Sequence, residues 1–244
     1  MTKASVESSE ATTRFAADGF VLIEGVFDAR AVDALGAELA PWTDALDPRR
    51  GGVRDLLRRA PAARRLAGDA RLLGLAEAVL GPGAFAIRGT LFRKSAAANW
   101  KVAWHQDLCV ALARRLDVDG FAGWTERDGV VQAQPPRPWL ERRLAVRVHL
   151  DDCGADDGPL RLLPGTHRDG RLDPAAVDAR RAAVEPAAPL ARRGDVLLLH
   201  PMLLHASSNA RGRGLRRVVH LEFAASDVRD LPGGLAWRDA IPGD

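Results

Sequence analysis

The sequence predicts a mainly β protein with flanking α-helices, a β-sandwich or jelly roll under a helical cover. Two textures carry this prediction. Up to residue 83 the chain is dominated by helical spacing, and from residue 84 short apolar runs are separated by long Gly- and Pro-containing loops. Regular β-α alternation, which a doubly wound sheet needs, is missing, and no internal repeat is visible. A chain of 244 residues buries a substantial core and is expected to form a single domain over residues 1–244.

Taken in order, residues 1–10 are polar and are expected to be a frayed, disordered tail. Phe20-Val21-Leu22-Ile23 is a short strand candidate. Asp28 is placed to cap a helix over 29–40, with Val32, Leu35 and Leu39 at helical spacing. A second helical region, rich in Leu, Ala and Arg, covers 54–80, and Gly81-Pro82-Gly83 stops it. Residues 11–83 are thus expected as mostly helical cover. The jelly-roll core is expected over 84–225. Phe85-Ala86-Ile87 and Thr90-Leu91-Phe92 flank a turn-prone Gly89. Further strands are expected over 144–150, 160–163, 195–199, 203–204 and 216–223, with a helix over 173–184. Between them, 110–143 lacks regular periodicity and carries Gly120, Gly123, Gly129 and Pro135-Pro136-Arg137-Pro138. Its many apolar residues argue against a solvated segment, so it is expected as a lid loop over the mouth of the barrel. Residues 226–244 read as Pro- and Gly-rich coil.

Composition excludes several classes. Hydrophobic content of 47% with 27% charged residues is that of an ordinary globular protein. Net charge is +3, and the 32 Arg are interspersed with acidic residues rather than blocked, so no nucleic-acid partner is expected. Two cysteines, Cys109 and Cys153, are too few for a disulfide framework. No apolar leader is seen near Met1, and the apolar run 196–204 is too short for a bilayer. A cytoplasmic protein with a small-molecule partner, no membrane association and an open oligomeric state is the expectation.

The chemistry centres on Trp104-His105-Gln106-Asp107 and a distant His205. Two imidazoles and one carboxylate are the ligand set of a non-haem Fe(II) facial triad, which leaves the opposite positions open. In an extended segment His105 and Asp107 point to the same side. Taken alone, such a pair also fits a surface His beside a capping Asp, and His205 also fits a satisfied buried His, as does His200 nearby. A zinc hydrolase uses two His and a carboxylate as well. No Gly-x-Ser-x-Gly elbow and no phosphate-binding Gly-rich loop exist.

The motifs occur in a recognisable order. Trp104-His105-Gln106-Asp107 is followed by Leu150-Asp151-Asp152, Gly158-Pro159-Leu160, Pro164-Gly165-Thr166-His167, Gly194-Asp195-Val196 and His205-Ala206-Ser207-Ser208-Asn209 with Arg216. Over residues 85–225, and more loosely over the N-terminal helices, the chain resembles the phytanoyl-CoA dioxygenase family of Fe(II)/2-oxoglutarate oxygenases. That resemblance implies a double-stranded β-helix of the cupin-like jelly-roll kind. It implies Fe(II), 2-oxoglutarate and O₂ as cofactor and cosubstrates, and His105, Asp107 and His205 as catalytic metal ligands. It also implies that Arg216, eleven residues after His205, pairs with the distal carboxylate of 2-oxoglutarate, for which a guanidinium offers a bidentate fork. Arg217 competes for that role, but on a strand the two point to opposite faces. Ser207 is placed to donate to the same carboxylate. Lys94 matches a family Lys that neutralises cosubstrate or substrate, although Thr90 stands where the family often has Met. Trp124 matches a Trp of the cosubstrate pocket. Since Asp107 is present, halogenation is disfavoured and hydroxylation of a small molecule is the expected outcome. The alternative is a non-catalytic metal- or ligand-binding protein on the same scaffold.

Overall fold

The computed structural model describes residues 3–45, 47, 49–212 and 214–241. The chain runs through α1 (Lys3–Asp18), β1 (Phe20–Ile23), α2 (Ala29–Asp44), β2 (Gly52–Val53), α3 (Leu56–Arg59), α4 (Pro61–Ala67) and α5 (Ala70–Leu80) before the strand-rich part. That part comprises β3 (Phe85–Lys94), β4 (Val102–His105), β5 (Val110–Leu112), β6 (Ala122–Arg127), β7 (Val130–Gln134), α6 (Arg137–Glu141), β8 (Arg143–His149), β9 (Leu160–Leu162), α7 (Pro174–Ala183), β10 (Val196–Leu199), β11 (His205–Ser207) and β12 (Arg216–Ala224).

Local chemistry sets the helix bounds. The Asp28 carboxylate accepts from the Ala31 amide at 2.7 Å and starts α2, as its position in the sequence predicts. The helical region expected over 54–80 is three helices. Pro61 at the first turn of α4 holds Ala60 extended and separates α3 from α4. Asp69 caps α5 anew, and the amide of Gly81, at positive φ, closes α5 on Glu77. Residues 3–10, expected as a frayed tail, form the first turns of α1.

Six strands pair antiparallel in the order β1-β10-β8-β12-β3-β2. Two three-stranded sheets, β4-β11-β9 and β5-β7-β6, complete the β structure. The helices cover one face of the large sheet. The core there joins Val32 and Leu39 of α2, Leu56 and Leu57 of α3, and Leu72 of α5 to Leu144, Val146, Val148, Val219 and Leu221. The opposite face of the same strands looks toward β4-β11-β9, with a cavity between them.

Two expectations are corrected. Gly89 is no turn: β3 is continuous, and the glycine is needed because a Cβ there would come within 2.9 Å of Leu57 Cγ. The segment 110–143 is not an irregular loop either, although Arg127 and Gln132 from it line the cavity as a covering segment should. It is the small sheet β5-β7-β6 followed by α6, and it buries Val110, Leu112, Phe121 and Ala133 in a second core against the C-terminal segment. The turn that makes it is Asp128-Gly129, both at positive φ, a two-residue hairpin that the sequence signals by Asp-Gly. The C-terminal coil beyond 225 carries two short 3₁₀ turns and packs by Trp237, which pairs with Leu112 and donates its indole N–H to Val228 O.

Candidate active site

The two histidines meet because their strands pair. His105 at the end of β4 stands opposite His205 at the start of β11, with ring centroids 4.2 Å apart. Asp107, two residues on, lies 3.5 Å from Nε2 of each histidine, Oδ1 to His105 and Oδ2 to His205. One ligand atom of each residue falls within 4.8 Å of the other two, the only such three-residue group among the described residues.

The tautomers decide what this group can hold. Nδ1 of His105 lies 2.9 Å from Ala103 O, and Nδ1 of His205 lies 2.8 Å from Leu203 O. A carbonyl only accepts, so both Nδ1 atoms carry the proton and both Nε2 lone pairs point into the group. Burial pushes His205 down to about 4 against the pull of Asp107, so its ring is neutral at neutral pH. Burial works to raise the Asp107 pKa, but His205 and His105 outweigh it and hold the carboxyl well below the usual range. An anionic carboxylate between two imidazole lone pairs fits a divalent cation. Bond lengths near 2 Å place neighbouring donors of one ion roughly 3 Å apart, close to the spacing present.

The ligand-bearing segments are stitched together. The Asp107 amide donates to Pro201 O at 2.7 Å. The Gln106 side chain donates to Met202 O and Gly170 O and accepts from the Leu172 amide. From below, the fully buried Arg143 donates to Asp107 O at 2.7 Å and Cys109 O at 3.1 Å while pairing with Glu222 at 3.1 Å. The loop is thereby held by Pro201, by the Gln106 bridges and by Arg143.

The cavity beside the triad has a volume of about 520 Å³, within the range of small-molecule sites. His205 and Ser207 of β11 both line it, as their spacing of two predicts. Arg216 lines it from β12 and is buried. Its Nη1 donates to Gly158 O, and its Nε is buried without a partner among the described residues. Arg217 points the other way and is consumed by Asp151, with contacts of 2.9 and 2.8 Å. An orphaned guanidinium donor in a buried pocket that also holds the Ser207 hydroxyl fits a carboxylate, and so the distal end of 2-oxoglutarate.

Two expected site residues lie elsewhere. Lys94 is fully buried and does not line the cavity. Its Nζ donates to Ser208 O at 2.7 Å, so it ties β3 to the loop after β11. Burial, with the neighbouring Arg216, brings its pKa down to about 8. Trp124 on β6 packs against the second core beneath Arg115 and is not part of the cavity wall; Trp100 lines it instead. Sequence reasoning also missed Arg147, whose guanidinium lies 3.0 Å from His220 Nδ1, and the pair Arg88–Glu222 at 3.4 Å. All line the cavity from the large sheet.

The family model described as phytanoyl-CoA dioxygenase matches residues 15–218. The chain belongs to this family. It is 27% identical over 174 residues to the ectoine dioxygenase of Sphingopyxis alaskensis, covering 66% of this chain and 50% of that protein. It is also 27% identical over 203 residues to the L-proline trans-4-hydroxylase of Streptomyces griseoviridis, covering 70% and 67%. The chain spans about half the length of the ectoine dioxygenases it matches. Among solved structures, EctD from S. alaskensis with 2-oxoglutarate and 5-hydroxyectoine superposes with a TM-score of 0.70 at 21% identity, covering 100% of this chain and 85% of that one. The non-haem α-ketoglutarate-dependent epimerase SnoN from nogalamycin biosynthesis does so with 0.70 at 19%, covering 94% and 91%. The fold is the cupin-like jelly roll of these proteins, as the sequence predicts.

Proposed function

We propose that this protein is an Fe(II)- and 2-oxoglutarate-dependent dioxygenase that hydroxylates a small molecule. The observation that carries this reading is the triad itself: two Nε2 lone pairs and one anionic carboxylate converge beside the cavity. His105, Asp107 and His205 hold the iron. Arg216 and Ser207 receive the distal carboxylate of 2-oxoglutarate, the one through its fork and the other through its hydroxyl. Iron, 2-oxoglutarate and O₂ together supply the oxidising power, with succinate and CO₂ as coproducts and one oxygen atom passed to the substrate. Gln106 and Arg143 keep the ligand loop from moving as the site fills. Phe92, Trp100 and Leu160 give the cavity its apolar wall and limit water.

The relatives' names include ectoine and L-proline, both small molecules, and a small-molecule substrate is proposed here too. No described helix is long and apolar enough to cross a membrane. With both cysteines free, a cytoplasmic location without membrane or nucleic-acid partners is the reading adopted.

The test is aerobic incubation of the purified protein with iron, 2-oxoglutarate, isotopically labelled O₂ and small-molecule extracts. Succinate should form together with a product heavier by one labelled oxygen atom. Iron bound in the triad with no succinate from any extract would instead favour a non-catalytic binding protein on this scaffold.

A further inference from the structure

The cavity has two cationic poles, and the proposed function uses only one. Arg216 and Glu222 are six positions apart on β12, roughly 20 Å along the strand, and their partners on β3 are Lys94 and Arg88. Arg216 and Ser207 mark one pole. The other is built around Glu222 by Arg88, by Arg54 just after β2 and by Arg127 at the end of β6. A five-carbon dicarboxylate is too short to engage both, so 2-oxoglutarate held at Arg216 leaves the second pole without an anion.

That pole carries more positive charge than its own carboxylates neutralise. Arg88 and Arg143 share Glu222, at 3.4 and 3.1 Å. Arg50 and Arg54 share Asp128, at 3.3 and 3.0 Å. Arg127 makes no ion pair among the described residues. Of the three guanidinium groups that line this pole, Arg88 and Arg54 share their carboxylates with Arg143 and Arg50, and Arg127 has none among the described residues. The crowding is felt at Arg54, whose pKa is lowered by burial and then by the Arg88 and Arg127 charges. Exposure rises outward, from 14% of the Arg88 side chain to 32% of Arg54 and then to the exposed Arg127, so this pole is the mouth of the cavity. A second observation is independent of charge. Gln132 on β7 is buried and lines the same cavity, and its amide nitrogen has no acceptor among the described residues. A buried donor left unpaired is destabilising unless something accepts from it.

We propose that Arg54, Arg88 and Arg127, with the Gln132 amide, form an oxyanion subsite, and that the molecule oxidised carries a carboxylate or phosphate-type group that docks there. The inference rests on the dioxygenase reading, because it assigns to the substrate the pole that 2-oxoglutarate leaves free. The β6–β7 hairpin, clipped at Asp128 to Arg50 and Arg54, is the element that delivers Arg127 and Gln132 to the mouth.

The test uses the anaerobic protein loaded with Fe(II) and saturating 2-oxoglutarate, with the visible charge-transfer band of that complex reporting cosubstrate occupancy. Benzoate and phenyl phosphate are titrated calorimetrically beside benzyl alcohol and benzylammonium. Both anions should bind saturably with the band retained, and the neutral and cationic probes should bind at least tenfold more weakly. Phenyl phosphate binding tighter than benzoate would assign the substrate group to the phosphate type, and the reverse order to the carboxylate type. Arg127→Gln, a change at an exposed position, should weaken anion binding at least tenfold and leave the 2-oxoglutarate titration unchanged. Equal binding of benzyl alcohol, or an unchanged anion affinity in R127Q, overturns the subsite while the band keeps the dioxygenase reading intact. If no band forms with wild-type protein, the dioxygenase reading fails and the subsite falls with it.

Discussion

The two faces of the six-stranded sheet are made by alternate residues of the same strands, yet they obey different rules. On β8, Leu144, Val146 and Val148 enter the helix-covered core, whereas Arg143, Arg147 and His149 face the other way, equally buried. On β12, Val219, Leu221 and Phe223 face the helices, and Arg216, His220 and Glu222 face the cavity. The helix face is held by apolar area, at roughly 25 cal/mol per Å² buried. The cavity face buries charges whose desolvation is offset only by specific partners, such as Glu222 for Arg143. The first face makes the fold stable. The second accepts a cost in stability to hold donors and charges around the proposed metal and anion sites.

The sharpest way to break this comparison is at the triad. His105→Ala, Asp107→Ala and His205→Ala should each abolish turnover and lose iron, because three protein ligands are the minimum for such a site. Metal analysis beside succinate assays checks this. A variant with near-normal rate and iron content would remove its residue from the ligand set.

Neighbouring residues of β8 separate the two faces next. Leu144→Ala should lower stability by about 2–5 kcal/mol and leave the KM for 2-oxoglutarate unchanged. Arg143→Ala should destabilise by a similar amount, about 3–5 kcal/mol, and also lower kcat, since the Asp107 and Cys109 carbonyls lose their guanidinium donor and Glu222 is left with Arg88 alone as its arginine. Denaturant melts with steady-state kinetics distinguish them. Equal kinetic effects would mean that the faces are not separable.

Adjacent arginines on β12 make the finer comparison. Arg216→Lys keeps the charge but loses the fork. It should raise the apparent KM for 2-oxoglutarate by about 2–5 kcal/mol in equivalent binding energy, a factor of roughly 30 or more. Arg217→Lys, on the Asp151 side, should leave that KM within about twofold, since partly exposed pairs contribute roughly 1 kcal/mol or less. A reversed pattern would place the wrong residue in the cavity.

The smallest effect is expected from a pair of tryptophans. Trp100→Ala should change substrate KM, and Trp124→Ala should leave kinetics near wild type because it packs outside the cavity. The opposite result would put Trp124, and not only Arg127, of β6 in the cavity wall.

What the sequence revealed and what it hid divide along the same faces. That His105, Asp107, His205, Ser207 and Arg216 share one cavity was legible from the spacing of two within His105–Asp107 and within His205–Ser207, and from the family resemblance for His205 and Arg216. Arg88, Arg143, Arg147 and Glu222 were not, because a charged residue at alternate strand positions reads as a solvent face. Only pairing with the other sheets shows both faces to be buried. Gly89 suggested a turn, and its true role, the close approach of Leu57, is a tertiary fact. The β6–β7 hairpin was available in Asp128-Gly129 but was obscured by the glycines and prolines around it.

The cavity between the six-stranded sheet and β4-β11-β9 is proposed to hold iron on His105, Asp107 and His205 together with 2-oxoglutarate at Arg216 and Ser207. Anaerobic titration of the metal-free protein with Fe(II), then with 2-oxoglutarate, tests it most directly. The account predicts one iron per chain, a visible charge-transfer band on adding 2-oxoglutarate, loss of both in His205→Ala, and retention of iron with a weakened 2-oxoglutarate titration in Arg216→Lys. Stoichiometric iron binding that persists in His205→Ala, or a wild-type protein that binds iron but never develops the band, would contradict it.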